Sequence, residues 1–147
     1  MSASTDLLLA TNNSKKLQEI RAILGPDYKG RVFSAGDFPE IVEPEETGET
    51  FADNARLKAD YYAGATGLTT LADDSGLVVD ALDGRPGVYS ARYAPTDLER
   101  ISKLLRELDG VPDERRTARF VCAMCLAFAD GRHLEVEGRL EGSIGYV

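Results

Sequence analysis

Residues 71–94 read LADDSGLVVDALDGRPGVYSARYA, and this stretch determines how the rest of the chain is interpreted. An apolar, strand-like run meets Asp73-Asp74-Ser75-Gly76, and a second turn signal follows at residues 83–87. Asp, Ser and Gly favour turns for local reasons, so a purely structural turn is one interpretation of residues 73–76. The other is chemical, since neighbouring carboxylates at the end of a strand can hold a divalent cation or activate water. We predict a turn here between two short strands, with its carboxylates available for chemistry.

Helical and strand-like segments alternate along the chain and predict a mixed α/β fold, a sheet of long strands flanked by helices. Apolar residues recur at helical spacing between Leu17 and Leu24, and Gly25-Pro26 ends that segment. Thr50 and Thr96 each precede a further helical pattern as candidate N-caps. The predicted strands cover residues 7–10, 32–33, 69–72, 77–79, 119–129 and 133–140, and the other two helices cover 50–65 and 97–108. The last two strands form a hairpin around Asp130-Gly131.

Composition is that of one soluble globular domain spanning residues 1–147, with 43% hydrophobic and 29% charged residues. No apolar run approaches the ~20 residues needed to cross a bilayer, and the N-terminus has no basic region typical of a signal peptide. A cytoplasmic protein without a membrane partner is therefore expected. The net charge of −8 argues against nucleic acid as a partner but permits a small anionic ligand beside local cations or a metal.

Cysteine and histidine offer little chemistry. Cys122 and Cys125 lie in an apolar strand pattern, where positions three apart point to opposite faces, so we interpret them as buried thiols. His133 follows the Asp130-Gly131 turn and is expected to be exposed. A site with several histidines is excluded, because the chain has one histidine.

Three segments carry the candidate functional residues. The first is the junction between the first strand and the first helix, where unpaired backbone N–H groups, Asn side chains and lysines suit phosphate. An ordinary helix cap with exposed lysines is the alternative. The residues concerned are Thr11, Asn12, Asn13, Ser14, Lys15 and Lys16.

The second segment is the acidic loop at residues 43–49 and the helix after it. Carboxylates such as Glu45 and Glu46 suit Mg²⁺, which binds oxygen ligands and leaves room for substrate phosphates. A solvated acidic loop is the simpler interpretation. Asn54 and Lys58 are four residues apart on the following helix, so they share a face and are able to point at one ligand.

The third segment is residues 73–76. One carboxylate there is able to bind the metal while another polarises a water for attack on phosphorus. The three segments together supply an anion cradle, cations, metal ligands and a base. No Cys or Ser nucleophile with a partnering base is evident in the sequence.

In this order the segments LLLATNNSKKLQEIRAIL, EETGETFADNARLKA and LADDSGLVVDALDGRPGVYSARYA resemble the inosine triphosphate pyrophosphatase family. RRTARF and the apolar strand after it extend the resemblance. The family hydrolyses non-standard purine nucleoside triphosphates (ITP, dITP, XTP) to the monophosphate and pyrophosphate with Mg²⁺, and so cleanses nucleotide pools.

The resemblance also implies residue roles. Residues 11–16 would contact the triphosphate, mainly through Asn13 and Lys16, and Ser75 would contact the substrate. Asp74 would be the general base and a metal ligand, and Glu45 or Glu46 would supply a further ligand. The enzyme would act as a homodimer.

The sequence departs from the family pattern at two places. Asp53 stands where a Glu is usual, and the family's later Gly-Phe-Gly-Tyr-Asp-Pro and Ser-His-Arg segments do not occur before Val147. The expectation is an inosine triphosphate pyrophosphatase-like fold without its C-terminal, base-reading portion. A catalytically silent nucleotide-binding fragment and a Maf-like nucleotide pyrophosphatase are the alternatives.

Overall fold

The structure is a computed structural model, and it describes residues 5–11 and 13–146. Its strands are β1 (Leu7–Leu9), β2 (Val32–Ser34), β3 (Thr69–Val79), β4 (Thr117–Ala127) and β5 (His133–Ser143). Its helices are α1 (Ser14–Leu24), α2 (Phe51–Thr66) and α3 (Asp97–Glu107). Short 3₁₀ turns occupy parts of the connections. α2 and α3 begin and end within two residues of their predicted positions. α1 ends where predicted but begins at Ser14, three residues before the predicted start at Leu17.

One five-stranded sheet has the order β2-β1-β3-β4-β5. β1 lies parallel to both neighbours, with Leu8 opposite Phe33 of β2 and Thr70 of β3. The Ala10 N–H continues this register by donating to the Leu71 carbonyl at 2.9 Å. The carboxyl ends of β1 and β2 and the middle of β3 therefore lie along one edge. The predicted mixed α/β class with flanking helices is confirmed.

The chain divides into two compact units. The first contains the described residues up to Asp73 together with 123–136, and the second contains 74–122 and the residues from 137 onward. β3, β4 and β5 each contribute residues to both units. The expectation of a single domain stays a prediction.

In the first unit the core lies under β1 and α2. Leu8, Leu9 and Ala59 have no exposed surface, and Ala55 and Tyr62 are nearly as buried. Burying each leucine contributes ~1.5–3 kcal/mol relative to exposure. The α2 positions in this set are 55, 59 and 62, which is the spacing of one helical face.

In the second unit Val79, Leu82, Leu108 and Ala118 form a small apolar cluster. Arg116 lies beside it, with only 2% of its surface exposed. Its guanidinium donates to the carbonyls of Leu108, Val111, Ile144 and Gly145. The arginine therefore joins the segment after α3 to the segment after β5.

The predicted turn at residues 73–76 is wrong. Asp73, Asp74, Ser75 and Gly76 lie inside β3, which runs unbroken from Thr69 to Val79. Turn preferences of single residues are weak, and pairing with neighbouring strands outweighs them. The two short strands expected on either side are one long strand.

One smaller expectation also needs correction. His133 is half-buried rather than exposed, and its Nε2 lies 2.5 Å from the Asp60 carboxylate. The apolar stripe of α3 is covered only toward its C-terminal end. Leu98 and Ile101 are 75% and 53% exposed, whereas Leu108, just after the helix, is fully buried.

The β4–β5 hairpin is confirmed, with the Phe128 N–H donating to the Arg132 carbonyl at 2.9 Å. The interpretation as a buried thiol is confirmed for Cys125 but not for Cys122. Cys125 is fully buried and Cys122 half-buried.

Within the described ranges, no helix combines the length and apolar character needed to cross a membrane.

Candidate functional site

The N-terminus of α1 carries the residues predicted to contact phosphate. Asn13 caps the helix, and its Oδ1 accepts hydrogen bonds from the Lys15 and Lys16 N–H groups at 3.0 and 3.2 Å. Thr11 Oγ1 accepts from the Asn13 N–H at 3.0 Å and so shapes the turn into the helix. No acidic residue occupies the first turn, which leaves the positive end of the helix dipole uncompensated there. Such an end suits phosphate.

The other predicted phosphate contacts lie in the same segment. Ser14 and Lys15 occupy the first two helical positions and are exposed, while Thr11 and Lys16 are half-buried. Asn12 falls outside the described residues, so its predicted contact with the triphosphate stays a prediction.

Lys16 is paired with a carboxylate that sequence analysis did not assign to it. Its Nζ lies 2.5 Å from Asp73 Oδ2, and the two residues are 57 positions apart in the chain. The Asp73 side chain is 9% exposed and that of Lys16 is 37% exposed. The contact depends on β1 and β3 lying side by side, because the parallel register brings residue 73 to the strand edge where α1 begins. No local sequence signal identifies such a pair.

The acidic loop is attached to α2 by the two residues predicted to share a face. Asn54 is 1% exposed, and its Oδ1 accepts a hydrogen bond from the Gly48 N–H at 2.7 Å. Lys58 Nζ lies 3.1 Å from Glu46 Oε1. Asn54 and Lys58 therefore point toward one target, and that target is the loop at residues 46–48. Their contact with a substrate stays a prediction.

This arrangement separates the two candidate glutamates. Glu46 is half-buried and engaged by Lys58, whereas Glu45 is exposed. Gly48 lies against the helix, since a Cβ added there would be 2.7 Å from both Asn54 Oδ1 and Asp53 Cβ. A side chain at position 48 would displace the loop that carries both glutamates.

Asp74 and Ser75 belong to the second unit. Asp74 is buried, with 8% of its surface exposed, and Ser75 is exposed. Ser75 also lines a pocket of about 610 Å³ whose walls are mostly apolar. Other lining residues include Leu77, Tyr93, Ile101, Leu104 and Phe120.

The donor types fit a hard cation. Among the described residues, no group of three or more His, Cys, Asp or Glu side chains is placed to hold a metal ion. Mg²⁺ does not require such a cage, because one or two carboxylates, waters and substrate phosphates usually complete its coordination. The carboxylates of Asp74 and Glu45 are of this type.

Comparison with known proteins gives consistent matches over nearly the whole chain. The profile of the Ham1 family matches residues 7–146. A dITP/XTP pyrophosphatase of Nitratidesulfovibrio vulgaris is 50% identical, over 94% of this chain and 70% of that protein. The dITP/XTP pyrophosphatase of Geobacter sulfurreducens is also 50% identical, over 95% of this chain and 71% of that protein.

Solved structures agree with these matches. The nucleoside-triphosphatase / dITP/XTP pyrophosphatase of Mycobacterium abscessus superposes with a TM-score of 0.87 at 43% identity, covering 97% of this chain and 75% of that one. A HAM1 protein of Coxiella burnetii gives a TM-score of 0.88 at 40% identity, covering 97% and 74% of the two chains. The family resemblance seen in the sequence is thereby confirmed: this chain belongs to the Ham1 family.

Proposed function

We propose that this chain hydrolyses the non-standard purine nucleoside triphosphates dITP, XTP and ITP to the monophosphate and pyrophosphate, and so cleanses nucleotide pools. The observation that carries the proposal is the capped N-terminus of α1 with its half-buried Lys16, in a chain half identical to dITP/XTP pyrophosphatases. A helix end of this kind with a lysine suits a polyphosphate better than a neutral group.

In the proposed reaction a water oxygen attacks the α-phosphorus, and the bond from that phosphorus to the bridging oxygen breaks. Pyrophosphate leaves with the electron pair, and the Asp74 carboxylate accepts the proton of the attacking water. Residues at the start of α1 and the Lys16 ammonium hold the triphosphate. Much of the rate enhancement in phosphoryl chemistry comes from such positioning and charge neutralisation.

The remaining residues bind and orient. Ser75 contacts the substrate, as do Asn54 and Lys58. Asp74 and Glu45 would hold Mg²⁺, which would supply neutralising charge and lower the pKa of a coordinated water. We favour Glu45 over Glu46 as that ligand, because Glu46 is paired with Lys58. The enzyme acts in the cytoplasm as a homodimer. Light scattering after size-exclusion chromatography tests whether the protein is a dimer.

The function is tested by measuring pyrophosphate release from dITP, XTP, ITP, dGTP and dATP, with Mg²⁺ and with EDTA. We expect Mg²⁺-dependent release from the first three at rates well above those for the last two. Asp74→Asn should lower kcat ~10²–10⁴-fold, the usual contribution of a general base.

Asp80→Asn is the matched control in the second unit, because Asp80 is a carboxylate paired with Arg119 on the surface. Its activity should stay within about twofold of the parent, as for a surface change away from the reaction. Undiminished release by Asp74→Asn would show that the base is misassigned. Nucleotide binding without any release in the parent would favour the silent binding fragment.

A further inference from the structure

Lys16 occupies a position that is electrostatically unfavourable for a cation. It is the third residue of α1, next to Lys15, at the positive end of a helix dipole with no acidic residue in the first turn. Both lysines should be repelled from this end. Lys16 is nevertheless half-buried at this position. A favourable interaction with a residue outside α1 must therefore offset the repulsion.

Asp73 supplies that hold. Its Oδ2 lies 2.5 Å from Lys16 Nζ, and its side chain is 9% exposed. A carboxylate this deeply buried requires a charged or hydrogen-bonding partner, because desolvation otherwise penalises its ionised form. The pair is therefore reciprocal: Lys16 compensates the buried charge of Asp73, and Asp73 fixes the ammonium beside the helix N-terminus.

The Lys16 ammonium can bind phosphate while it is paired with Asp73. A lysine ammonium has three N–H donors, and the contact with Asp73 uses one of them. Two donors stay available for phosphate oxygens. A lysine side chain without such a contact samples many rotamers. Binding phosphate would then cost the conformational entropy of fixing one of them.

We propose that Asp73 is a positioning residue that acts through Lys16, holding its ammonium in place for the phosphates of the substrate. Asp73 neither takes the proton nor touches the reacting atoms. This inference rests on the proposed function for its kinetic consequence, although the ion pair can be tested without turnover.

The kinetic test is a double-mutant cycle on dITP hydrolysis with Mg²⁺, comparing the parent, Asp73→Asn, Lys16→Met and the double variant. Asp73→Asn should lower kcat ~10-fold while KM stays within ~3-fold, since lost positioning is offset by the loss of a negative charge near the triphosphate. In the Lys16→Met background the same change should alter kcat by less than ~2-fold, because the two residues act as one unit.

Asp73→Glu restores the charge and should recover kcat to within ~5-fold of the parent, which a general loss of packing would not allow. Asp6→Asn is the control, because Asp6 forms a similar ion pair with Arg31 at 2.8 Å in the same unit. It should leave both kinetic constants unchanged. If Asp73→Asn does not fold, Asp73→Ser takes its place in the cycle.

An equal loss of kcat in both backgrounds would overturn the proposal, because Asp73 would then act independently of Lys16. An unchanged kcat in Asp73→Asn would overturn it as well.

The ion pair itself is tested by observing the ¹⁵N-labelled lysine ammonium groups by NMR, with inorganic tripolyphosphate as the probe. In the parent, the Lys16 ammonium signal should be protected from exchange with water, and it should shift but persist when tripolyphosphate is added. The signal should be lost in Asp73→Asn and retained in Asp6→Asn. A parent enzyme that shows this behaviour without hydrolysing dITP would refute the proposed function and leave the ion pair standing. Persistence of the signal in Asp73→Asn would refute the positioning role.

Discussion

At the scale of single residues, Arg116 binds several backbone carbonyls with one side chain. Its Nε and both terminal nitrogens donate to carbonyls at Leu108, Val111, Ile144 and Gly145, at 2.8–3.3 Å. Its guanidinium also lies 4.1 Å from the centre of the Tyr146 ring. A planar fork with five N–H donors can satisfy four carbonyls at once, whereas a lysine ammonium cannot.

We expect Arg116→Lys to lower the free energy of unfolding by at least about 2 kcal/mol, because buried carbonyls lose charge-assisted hydrogen bonds. Urea denaturation followed by circular dichroism measures this difference. Arg132→Lys is the control, since the Arg132 side chain is 73% exposed and pairs with Asp130 across the hairpin turn. That change should cost no more than about 0.5 kcal/mol. Equal losses in the two variants would contradict a specific role for Arg116.

The two cysteines should differ strongly in reactivity. Burial raises the pKa of the Cys125 thiol to about 11, and Cys122 is only half-buried. At pH 8 the thiolate fraction of Cys125 is then ~0.1%, and the thiolate is the form that reacts.

Iodoacetamide labelling at pH 8, read by mass spectrometry of peptides, should modify Cys122 first and Cys125 only after unfolding in urea. Rapid labelling of Cys125 in the native protein would contradict its burial.

At the scale of elements, α2 both starts from a well-formed cap and holds the acidic loop. Thr50 Oγ1 accepts from the Asp53 N–H at 3.1 Å, and Gly67 ends the helix in the left-handed region. The helix then presents Asn54 and Lys58 to the loop. The position of Glu45 therefore depends on how closely Gly48 approaches α2.

Gly48→Ala should push the loop away from α2, because its Cβ would lie 2.7 Å from Asn54 Oδ1. We expect the Mg²⁺ concentration for half-maximal pyrophosphate release to rise ~3–10-fold, as for a metal ligand whose supporting contacts are disturbed. The measurement is an Mg²⁺ titration at saturating dITP.

Gly64→Ala is the matched control in the same helix, where an added Cβ meets nothing within 4 Å. That change should leave the Mg²⁺ requirement unaltered and stabilise the helix by ~0.5–1 kcal/mol. An unchanged Mg²⁺ requirement in Gly48→Ala would refute the link between the loop and metal binding.

At the scale of the whole molecule, carboxylates paired with arginines contribute to the response to acid. Hydrogen bonds from the Arg31 and Arg119 side chains lower the pKa values of Asp6 and Asp80. A hydrogen bond from the Arg132 N–H lowers the pKa of Asp130. A carboxyl whose pKa is lower in the folded state contributes stability above its unfolded pKa, and loses it as the pH falls through the folded pKa.

We therefore expect Tm to be nearly constant from pH 7 to about 5 and to fall as the pH drops below about 4, where these groups take up protons. Thermal unfolding across that range measures the profile. Asp80→Asn should lower Tm at pH 7 and flatten the fall, because it removes one of the linked groups. A Tm that rises on acidification would contradict these pKa directions.

The sequence alone predicts most of the elements, because their signals are local. Thr50, Thr96 and the glycine after each pattern mark helix ends, and alternating or continuous apolar runs mark strands. The family resemblance also follows from sequence, since it depends on the order and identity of three segments rather than on contacts between them.

Tertiary structure decided the features that depend on neighbours distant in the chain. Residues 73–76 are strand rather than turn because pairing on the sheet outweighs the local preferences of Asp, Ser and Gly. Lys16 meets Asp73, across 57 positions, only because β1 and β3 lie parallel in one register. Arg116 likewise binds carbonyls at Ile144 and Gly145 that no local pattern connects to it. Caps and periodicity can be read from adjacent residues, whereas ion pairs and buried hydrogen bonds exist only once folding has brought their partners together.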